Sequence, residues 1–246
     1  MNEKVIVFGA TRGMGRALAR AYAARGASLY LLGRNEAELA RSAADLVARG
    51  ARDCGYVRCD LEDARDFAPA LDAAFSALGQ VDVVAVTAGL FATQEELEKD
   101  RSLAVRVLQA DFTQTVLFCE EVKDRLLGQR RGALVVFSSV AGERGRKPVV
   151  LYGAAKAGLS RYLEGLDHRH RADGLLVVAV KPGFVRTSMT EGLEPPPFAG
   201  EPDEVARDVV RAVERGLPEV YSPWPWRYVM GVIRALPRAV MRRVKF

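Results

Sequence analysis

Short apolar runs alternate with longer amphipathic stretches along most of the chain. The apolar runs lie at 5–8, 28–32, 55–59, 81–86, 133–137 and 175–180. The stretches with helical periodicity lie at 13–25, 36–49, 63–78, 99–127 and 151–171. Short strands separated by helices are typical of a parallel sheet that is covered on both faces. The pattern therefore predicts an α/β fold, a single-domain Rossmann-type doubly wound parallel sheet of about seven strands, counting a short one near Val220.

The predicted sheet assigns residues 1–223 to one domain, with ligands expected beyond the carboxyl ends of the strands. Its one irregular stretch, 183–202, is rich in proline and glycine, and we expect it to cover the substrate. Residues 224–246 form a separate C-terminal helix in this prediction. The length of 246 residues suits one α/β domain with a substantial core.

A glycine-rich turn follows the first strand and opens the first helix. Glycines in such a turn let backbone N–H groups approach a phosphate at the helix N-terminus. The spacing differs from that of a P-loop, and no Gly-Lys-Ser/Thr follows, which favours a dinucleotide over a nucleoside triphosphate. The residues of this turn predicted to bind the dinucleotide are Gly9, Thr11, Arg12, Gly13, Met14 and Gly15.

Two arginines favour NADP(H) over NAD(H) as that dinucleotide. An acidic residue at the end of the second strand would bind the ribose 2′-hydroxyl, whereas an arginine there would bind a 2′-phosphate. The second strand leads into Gly33-Arg34 with no acidic residue at its tip, and Arg12 in the glycine turn can reach the same place. Guanidinium groups bind phosphate well through paired hydrogen bonds, so we expect NADP(H) as the cofactor.

The candidate reacting groups lie at the fifth strand and on the helix that follows. Ser138 and Ser139 end the strand, and Tyr152 and Lys156 lie one helical turn apart on the same helix face. A phenol with a pKa of about 10 is a poor acid near neutrality, and a nearby ammonium group lowers that pKa. Tyr152 can then exchange a proton with a carbonyl oxygen that the Ser139 hydroxyl holds.

The chain resembles the short-chain dehydrogenase/reductase family over nearly its whole length. The residues that carry the resemblance are Gly9, Gly13, Gly15, Asp60, Leu61, Ala88, Gly89, Ser139, Tyr152, Lys156, Pro182, Gly183, Val185 and Thr187. The resemblance implies that Tyr152 donates the proton, that Lys156 holds the nicotinamide ribose, and that Ser139 polarises the substrate oxygen. It further implies cofactor contacts for Asp60 at the adenine, for Thr187 at the carboxamide, and for Leu61, Ala88, Gly89, Pro182, Gly183 and Val185.

Several positions depart from the family pattern. Phe8 stands where the family usually has threonine, and Val86-Thr87 stand where it usually has two asparagines. Asp111 replaces an asparagine that normally helps to hold a water for proton relay. A carboxylate can still accept hydrogen bonds from that water, and its negative charge would keep Lys156 protonated. We therefore include Asp111 among the predicted catalytic residues and expect activity to survive with a shifted pH profile.

The net charge of +5 is concentrated at the C-terminus. Residues 220–246 contain six of the 36 basic residues and no acidic one, so the rest of the chain has 30 basic against 31 acidic residues. This balance argues against a nucleic-acid-binding surface. The sparse cysteines Cys54, Cys59 and Cys119 match neither a disulfide framework nor a zinc pattern, so no metal is expected. Because no apolar run suits a signal peptide or a membrane span, we expect a cytoplasmic protein.

Two interpretations of the C-terminal segment 224–246 remain open. If it forms one helix, with a possible kink at Pro237, its basic side chains lie opposite an apolar stripe. The stripe consists of Val229, Ile233, Leu236, Val240 and Val244. Such a helix can pack on its own domain or a dimer partner, or it can be a peripheral contact at the inner face of the membrane. The segment resembles the ends of decaprenylphosphoryl 2-keto-pentose reductases, which implies a hydrophobic or lipid-linked keto-sugar substrate.

The family resemblance implies an enzyme that interconverts a carbonyl and an alcohol. It also implies a homodimer or homotetramer formed through the helices at 99–127 and 151–171. The alternative is a protein that keeps the fold and binds NADP(H) as a sensor or regulator without turnover. Consumption of NADPH distinguishes the two, because a sensor binds NADPH without oxidising it.

Overall fold

The structure, a computed structural model that describes residues 3–244, contains a seven-stranded parallel sheet. Its strands are β1 (Lys4–Phe8), β2 (Ser28–Gly33), β3 (Asp53–Arg58), β4 (Val83–Val86), β5 (Gly132–Phe137), β6 (Leu175–Pro182) and β7 (Glu219–Ser222). They lie in the order β3-β2-β1-β4-β5-β6-β7, so the direction of winding reverses between β1 and β4. A crevice at the carboxyl ends of the strands is expected at such a reversal. The predicted doubly wound α/β class is confirmed.

Helices cover both faces of the sheet. They are α1 (Gly13–Ala23), α2 (Glu36–Ala48), α3 (Phe67–Leu78), α4 (Gln94–Lys99), α5 (Arg101–Leu108), α6 (Thr115–Gln129), α7 (Val150–His170), α8 (Pro202–Glu214), α9 (Pro225–Ala235) and α10 (Arg238–Met241). Side chains of β1 alternate between two cores, since Val5 and Val7 pack with α1, α2 and α8, whereas Ile6 and Phe8 pack with α3, α6 and α7. Phe8 therefore fills the second core, where its ring centroid lies 4.8 Å from that of Phe118.

The long helical segment predicted at about 99–127 is observed over residues 101–129, with a break before it at Asp100 and a π-helical turn within it. Asp100 is extended, with φ −117°, and its carboxylate accepts hydrogen bonds from the N–H groups of Ser102 and Leu103 at 2.9 and 3.1 Å. It thereby caps α5 and ends α4. Further along, Gln109–Gln114 form a π-helical turn between α5 and α6. π-Helical turns are frequent at functional sites, and this one contains Asp111.

The C-terminal segment forms two short helices rather than one. Leu236 is extended, with ψ 134°, and Pro237 follows it as the cap of α10. Because proline disfavours a helical residue before it, α9 ends here. Over the part of the chain that the structure describes, no helix has the length and apolar character needed to cross a bilayer.

One face of α9 packs on its own domain. The buried residues of this face are Trp226, Met230 and Ile233, which cluster with Val140 and Tyr221. The predicted apolar stripe is therefore only partly correct. Ile233 belongs to it and is buried, whereas Val240 is 41% exposed because the break before α10 turns it away from this face.

Candidate active site

A cleft of about 490 Å³ opens at the carboxyl ends of β1, β2 and β4. The residues predicted to bind the cofactor that line it are Gly9, Thr11, Arg12, Gly13, Met14, Gly15, Arg34, Asp60, Leu61, Ala88, Gly89 and Thr187. The N-terminus of α1 lies at the cleft, since α1 begins at Gly13. Of the other predicted contacts, Tyr152, Pro182, Gly183 and Val185 line the adjoining cavity instead, and Lys156 is buried and lines neither of these two cavities.

The glycine turn is packed too closely against neighbouring backbone to carry side chains at Gly9 and Gly15. Gly9 has φ +93°, and a Cβ atom there would lie 2.6 Å from the backbone nitrogen of Ala88. A Cβ atom on Gly15 would lie 2.3 Å from the carbonyl oxygen of Gly9. The backbone is thus bare beside the first turn of α1, where N–H groups favour anions. These residues fit the pyrophosphate of a dinucleotide.

Arg12, which lines the cleft, is paired with a carboxylate that the sequence did not indicate. Glu38, in the first turn of α2, accepts a hydrogen bond from Arg12 Nη2 at 2.5 Å. This hydrogen bond lowers the pKa of Glu38. The Arg12 side chain is nevertheless 68% exposed, and Arg34 is also exposed. No acidic residue stands at the tip of β2. The only sequence signal for Glu38 is its place in the first turn of α2.

A second cavity, of about 450 Å³, contains Ser139 and Tyr152 in its lining. It adjoins the cleft, since Met14, Phe91, Thr187 and Met189 line both. Much of its remaining surface is apolar and comes from Val140, Val149, Phe184, Leu193 and Trp226. An apolar cavity with a few polar groups, open towards a cofactor cleft, is suited to an organic substrate.

The two neighbouring serines have different surroundings. Ser138 Oγ donates to the carbonyl oxygen of Lys156 at 3.0 Å and lies 2.7 Å from Ser160 Oγ, so that it ties β5 to α7. Ser139 Oγ accepts a hydrogen bond from the N–H of Ala141 at 3.0 Å, and its interaction with the Tyr152 hydroxyl lowers the pKa of that phenol. Ser139 is thus the serine that faces the phenol.

Lys156 lowers the pKa of Tyr152 as expected, but the net shift of that pKa in this structure is upward. Burial raises the pKa of Tyr152 most, and the charge of Lys156 lowers it by less. Asp111 raises it further, and the hydrogen bond with Ser139 lowers it. Lys156 Nζ lies 5.6 Å from the centre of the Tyr152 ring, close enough for its charge to stabilise the phenolate. Desolvation of the phenolate outweighs this stabilisation.

Lys156 and Asp111 form a buried pair behind Tyr152. Their Nζ and Oδ1 atoms are 3.6 Å apart, and the side chains are 6% and 0% exposed. Lys156 Nζ also donates to the carbonyl oxygen of Phe137 at 3.2 Å. Asp111 Oδ1 accepts from the N–H of Leu90 at 2.9 Å, whereas Oδ2 has no partner within residues 3–244.

The pKa values of both residues are raised, for different reasons. Burial is the largest influence on Lys156 and lowers its pKa, but the charges of Asp111 and Tyr152 and the hydrogen bond with Asp111 together raise it. This direction agrees with the expectation that Asp111 keeps the ammonium protonated. Burial raises the pKa of Asp111, and the charge of Lys156 offsets only part of that increase. Only glycine fits at position 89, because a Cβ atom there would lie 2.7 Å from Asp111 Oδ1.

Comparison with known proteins agrees with this geometry. A family model of the short chain dehydrogenases matches residues 3–197. The chain belongs to the short-chain dehydrogenase family. It is therefore an oxidoreductase of that family, with a fold built to hold a nicotinamide cofactor.

Relatives of this short-chain dehydrogenase include both uncharacterised and named oxidoreductases. An uncharacterised oxidoreductase of Mycobacterium tuberculosis is 35% identical over 98% of this chain and 96% of its own length. A cis-4-hydroxycyclohexanecarboxylate dehydrogenase of Sinomonas cyclohexanicum is 33% identical over 76% of this chain and 75% of its own. A solved structure of an actinorhodin polyketide ketoreductase variant with NADPH has a TM-score of 0.81 at 23% identity. The match covers 90% of this chain and 95% of that one, and it shows the shared fold.

Three residues of this short-chain dehydrogenase line the second cavity although no sequence motif indicated them. The Phe91 ring meets Tyr152 edge to face, with 5.2 Å between the ring centroids. Trp226 arrives from α9, and its Nε1 donates to the carbonyl oxygen of Phe198 at 3.0 Å. Arg146 comes from the segment between β5 and α7. All three reach the cavity through tertiary packing, which spacing along the chain does not show.

Proposed function

We propose that this short-chain dehydrogenase is an NADP(H)-dependent enzyme that interconverts a carbonyl group and an alcohol. One observation carries the proposal: Ser139 and Tyr152 share an apolar cavity that opens into the glycine-lined cleft, and Lys156 lies buried behind the tyrosine ring. The bound nicotinamide would supply or accept the hydride. A non-catalytic NADP(H) sensor would need the cleft, but it would not need the hydroxyl groups of Ser139 and Tyr152 in the second cavity.

The residues of the chain position the substrate and move a proton. In the direction of reduction, the Ser139 hydroxyl holds the carbonyl oxygen and Tyr152 gives its phenolic proton to that oxygen. The ammonium group of Lys156 stabilises the phenolate that remains, and Asp111 keeps that ammonium protonated. Because the cavity is largely apolar, the substrate in this proposal is hydrophobic, and a lipid-linked keto-sugar is one candidate.

The choice of NADP(H) rests on the two exposed guanidinium groups at the adenosine end of the cleft. NADPH should be oxidised in the presence of a panel of ketones, including 4-oxocyclohexanecarboxylate, whereas NADH should be a poor donor. Changing Arg12 and Arg34 to glutamine should weaken NADPH binding by about 10- to 100-fold, since each charged hydrogen bond to a 2′-phosphate is lost. Dissociation constants for NADPH and NADH, measured by fluorescence titration, test this expectation.

Glu38 provides the matched variant for this experiment. Because its carboxylate occupies Arg12 Nη2, the substitution Glu38→Gln should free that guanidinium and tighten NADPH binding several-fold, with little change for NADH. Equal affinities of the wild-type protein for the two cofactors would overturn the assignment of NADP(H). Binding of NADPH without consumption, over the whole panel, would favour the sensor.

A peripheral membrane contact is part of the proposal, and it uses a different face of α9 from the predicted stripe. Trp224, Tyr228 and Val232 are spaced four residues apart and are 65–68% exposed, so they form an exposed apolar ridge. Arg227 and Arg234 are exposed beside it. Aromatic and basic side chains together suit the interface of an anionic bilayer. In this proposal the protein is cytoplasmic and contacts the inner face of the membrane.

Replacing Trp224 and Tyr228 with serine should reduce co-flotation with vesicles that contain anionic phosphatidylglycerol. Both side chains are exposed, so the fold should remain intact, unlike a truncation that removes the buried Trp226. The substitution Val47→Ser, at a half-exposed position of α2, is the matched control and should float like the wild type. If wild-type protein and the double variant float equally, the ridge does not bind membranes.

A homodimer or homotetramer remains a proposal as well. It is supported by apolar side chains exposed on the helices that the family resemblance assigns to subunit contacts. Val105 on α5 is 50% exposed, Phe112 in the π-helical turn is 38% exposed, and Leu117 on α6 is 46% exposed. Large apolar side chains exposed on these helices are consistent with a subunit interface.

A further inference from the structure

Arg146 is a partly buried cation with no side-chain partner among residues 3–244. It lines the same cavity as Ser139 and Tyr152. Its Nε atom is buried without a hydrogen-bond acceptor, and its guanidinium makes no salt bridge with any residue between 3 and 244. Arginine does not lose its proton in proteins, so the positive charge stays at the cavity wall.

The two basic neighbours of Arg146 are satisfied. Arg144 Nη2 donates to the carbonyl oxygen of Leu236 at 2.8 Å, and Lys147 Nζ donates to that of Arg242 at 2.7 Å. Both therefore hold the C-terminal segment against the domain. Arg146 lies between them in sequence and does not share this role, so packing of the tail does not account for it.

The carboxylate that lines this cavity does not satisfy Arg146 either. Glu95 is exposed and forms no salt bridge with it in the described part of the chain. Burying a charge without a counter-charge costs free energy, and burial indeed lowers the pKa of Arg146. A group that the protein keeps charged and unpaired in a substrate cavity is preorganised for an anion that arrives from outside.

We infer that Arg146 binds an anionic group of the substrate, a carboxylate or a phosphate, and that the substrate is an amphipathic carbonyl compound. Its apolar body would contact side chains such as Phe184 and Trp226, and its carbonyl would reach Ser139 and Tyr152 in the same cavity. The carbonyl end of this assignment rests on the proposed function, whereas the anion end rests on Arg146 alone. A planar guanidinium can bind either anion through two parallel hydrogen bonds.

Calorimetric titration with simple amphiphiles tests the anion end without any turnover. The probes are octanoate, octyl phosphate, octanol and inorganic phosphate, each titrated with saturating NADPH present so that the glycine-lined cleft is blocked. Wild-type protein should bind at least one of the two anionic amphiphiles about 10- to 100-fold more tightly than octanol. Weak binding of inorganic phosphate would show that the apolar body is needed, whereas equal binding of inorganic and octyl phosphate would assign a free anion instead.

Variants of Arg146 identify the cation responsible. Arg146→Gln should remove the preference for the anionic probes and leave octanol binding unchanged, and Arg146→Lys should keep part of it. Lys147→Gln, which removes the same charge one residue away, should bind all probes like the wild type. Because the Arg146 side chain has no hydrogen-bond acceptor within the described range 3–244, the urea midpoint of Arg146→Gln should be equal to or higher than that of the wild type.

The inference is overturned if wild-type protein binds octanol as tightly as octanoate and octyl phosphate, or if Arg146→Gln retains the preference. A failure here is distinguishable from a failure of the proposed function. Tyr152→Phe should bind the anionic probes normally, since it leaves the guanidinium untouched. Loss of anion preference with normal ketone reduction would remove only the anion site, and intact anion binding without any ketone reduction would remove only the proposed reaction.

Discussion

Tyr152→Phe should lower the rate of ketone reduction by about 100- to 10,000-fold, the usual contribution of a positioned acid. The substitution removes the phenolic proton but retains the ring that meets Phe91 edge to face. Ser139 keeps its bond with the N–H of Ala141. NADPH affinity and the free energy of unfolding should therefore change little, so that the loss appears in kcat.

Steady-state oxidation of NADPH, followed by absorbance, measures this loss. Tyr56→Phe is the matched control, because Tyr56 lies on β3 and is 38% exposed, outside both cavities. It should retain wild-type kcat and KM. If Tyr152→Phe kept a kcat within about threefold of the wild type, another group would have to supply the proton, and the roles given to Ser139 and Lys156 would fall with it.

The sheet could be predicted from the sequence because its strands are short, continuous and apolar. Buried parallel strands such as β4 and β5 must be apolar on both faces, and this requirement leaves short apolar runs that alternate with amphipathic helices. The glycine turn and the spacing of Tyr152 and Lys156 were visible for a similar reason. Each depends on residues that are close together in the chain, so local geometry fixes their relation.

The features that escaped prediction depend on tertiary contacts or on backbone alternatives. A helical pattern runs through Asp100 without a break, yet its side chain is a better N-cap than an interior helix residue. Glu38 and Arg12 are neighbours only because α1 and α2 begin at the same edge of the sheet. The sequence placed Trp226 in the C-terminal segment. Only the packing of α9 beside β7 brings it to the second cavity.

The centre of the site is electrostatically unusual, because a carboxylate is buried beside the ammonium group. Desolvation disfavours the charge of Asp111, and the charge of Lys156 is the main factor that favours it. Each member of such a pair depends on the other, since removing one partner leaves an uncompensated buried charge. We therefore expect that replacing Lys156 destabilises the fold and that a second substitution, at Asp111, repairs part of this defect. A lysine that served catalysis alone would not show such a repair.

Lys156→Met should abolish most turnover and lower the free energy of unfolding by about 3–5 kcal/mol near neutral pH, because it leaves Asp111 buried without its counter-charge. Adding Asp111→Asn should recover about half or more of the lost free energy of unfolding, since a neutral amide has no charge to desolvate. Turnover should not return in the double variant. Urea unfolding of the wild type, both single variants and the double variant completes the cycle.

The defect of Lys156→Met should also depend on pH, with a sign set by Asp111. The pKa of Asp111 is already raised above the unfolded value of about 3.9, and loss of the Lys156 charge raises it further. A raised folded pKa favours the protonated native state, so its stabilising contribution is complete below the unfolded pKa and is lost as pH rises through the folded pKa. Lys156→Met should therefore be closest to the wild type at pH 4.5 and furthest from it at pH 8, and Asp111→Asn should remove this trend. A defect of equal size at both pH values, or a double variant no more stable than Lys156→Met, would mean that Asp111 does not carry its charge against Lys156.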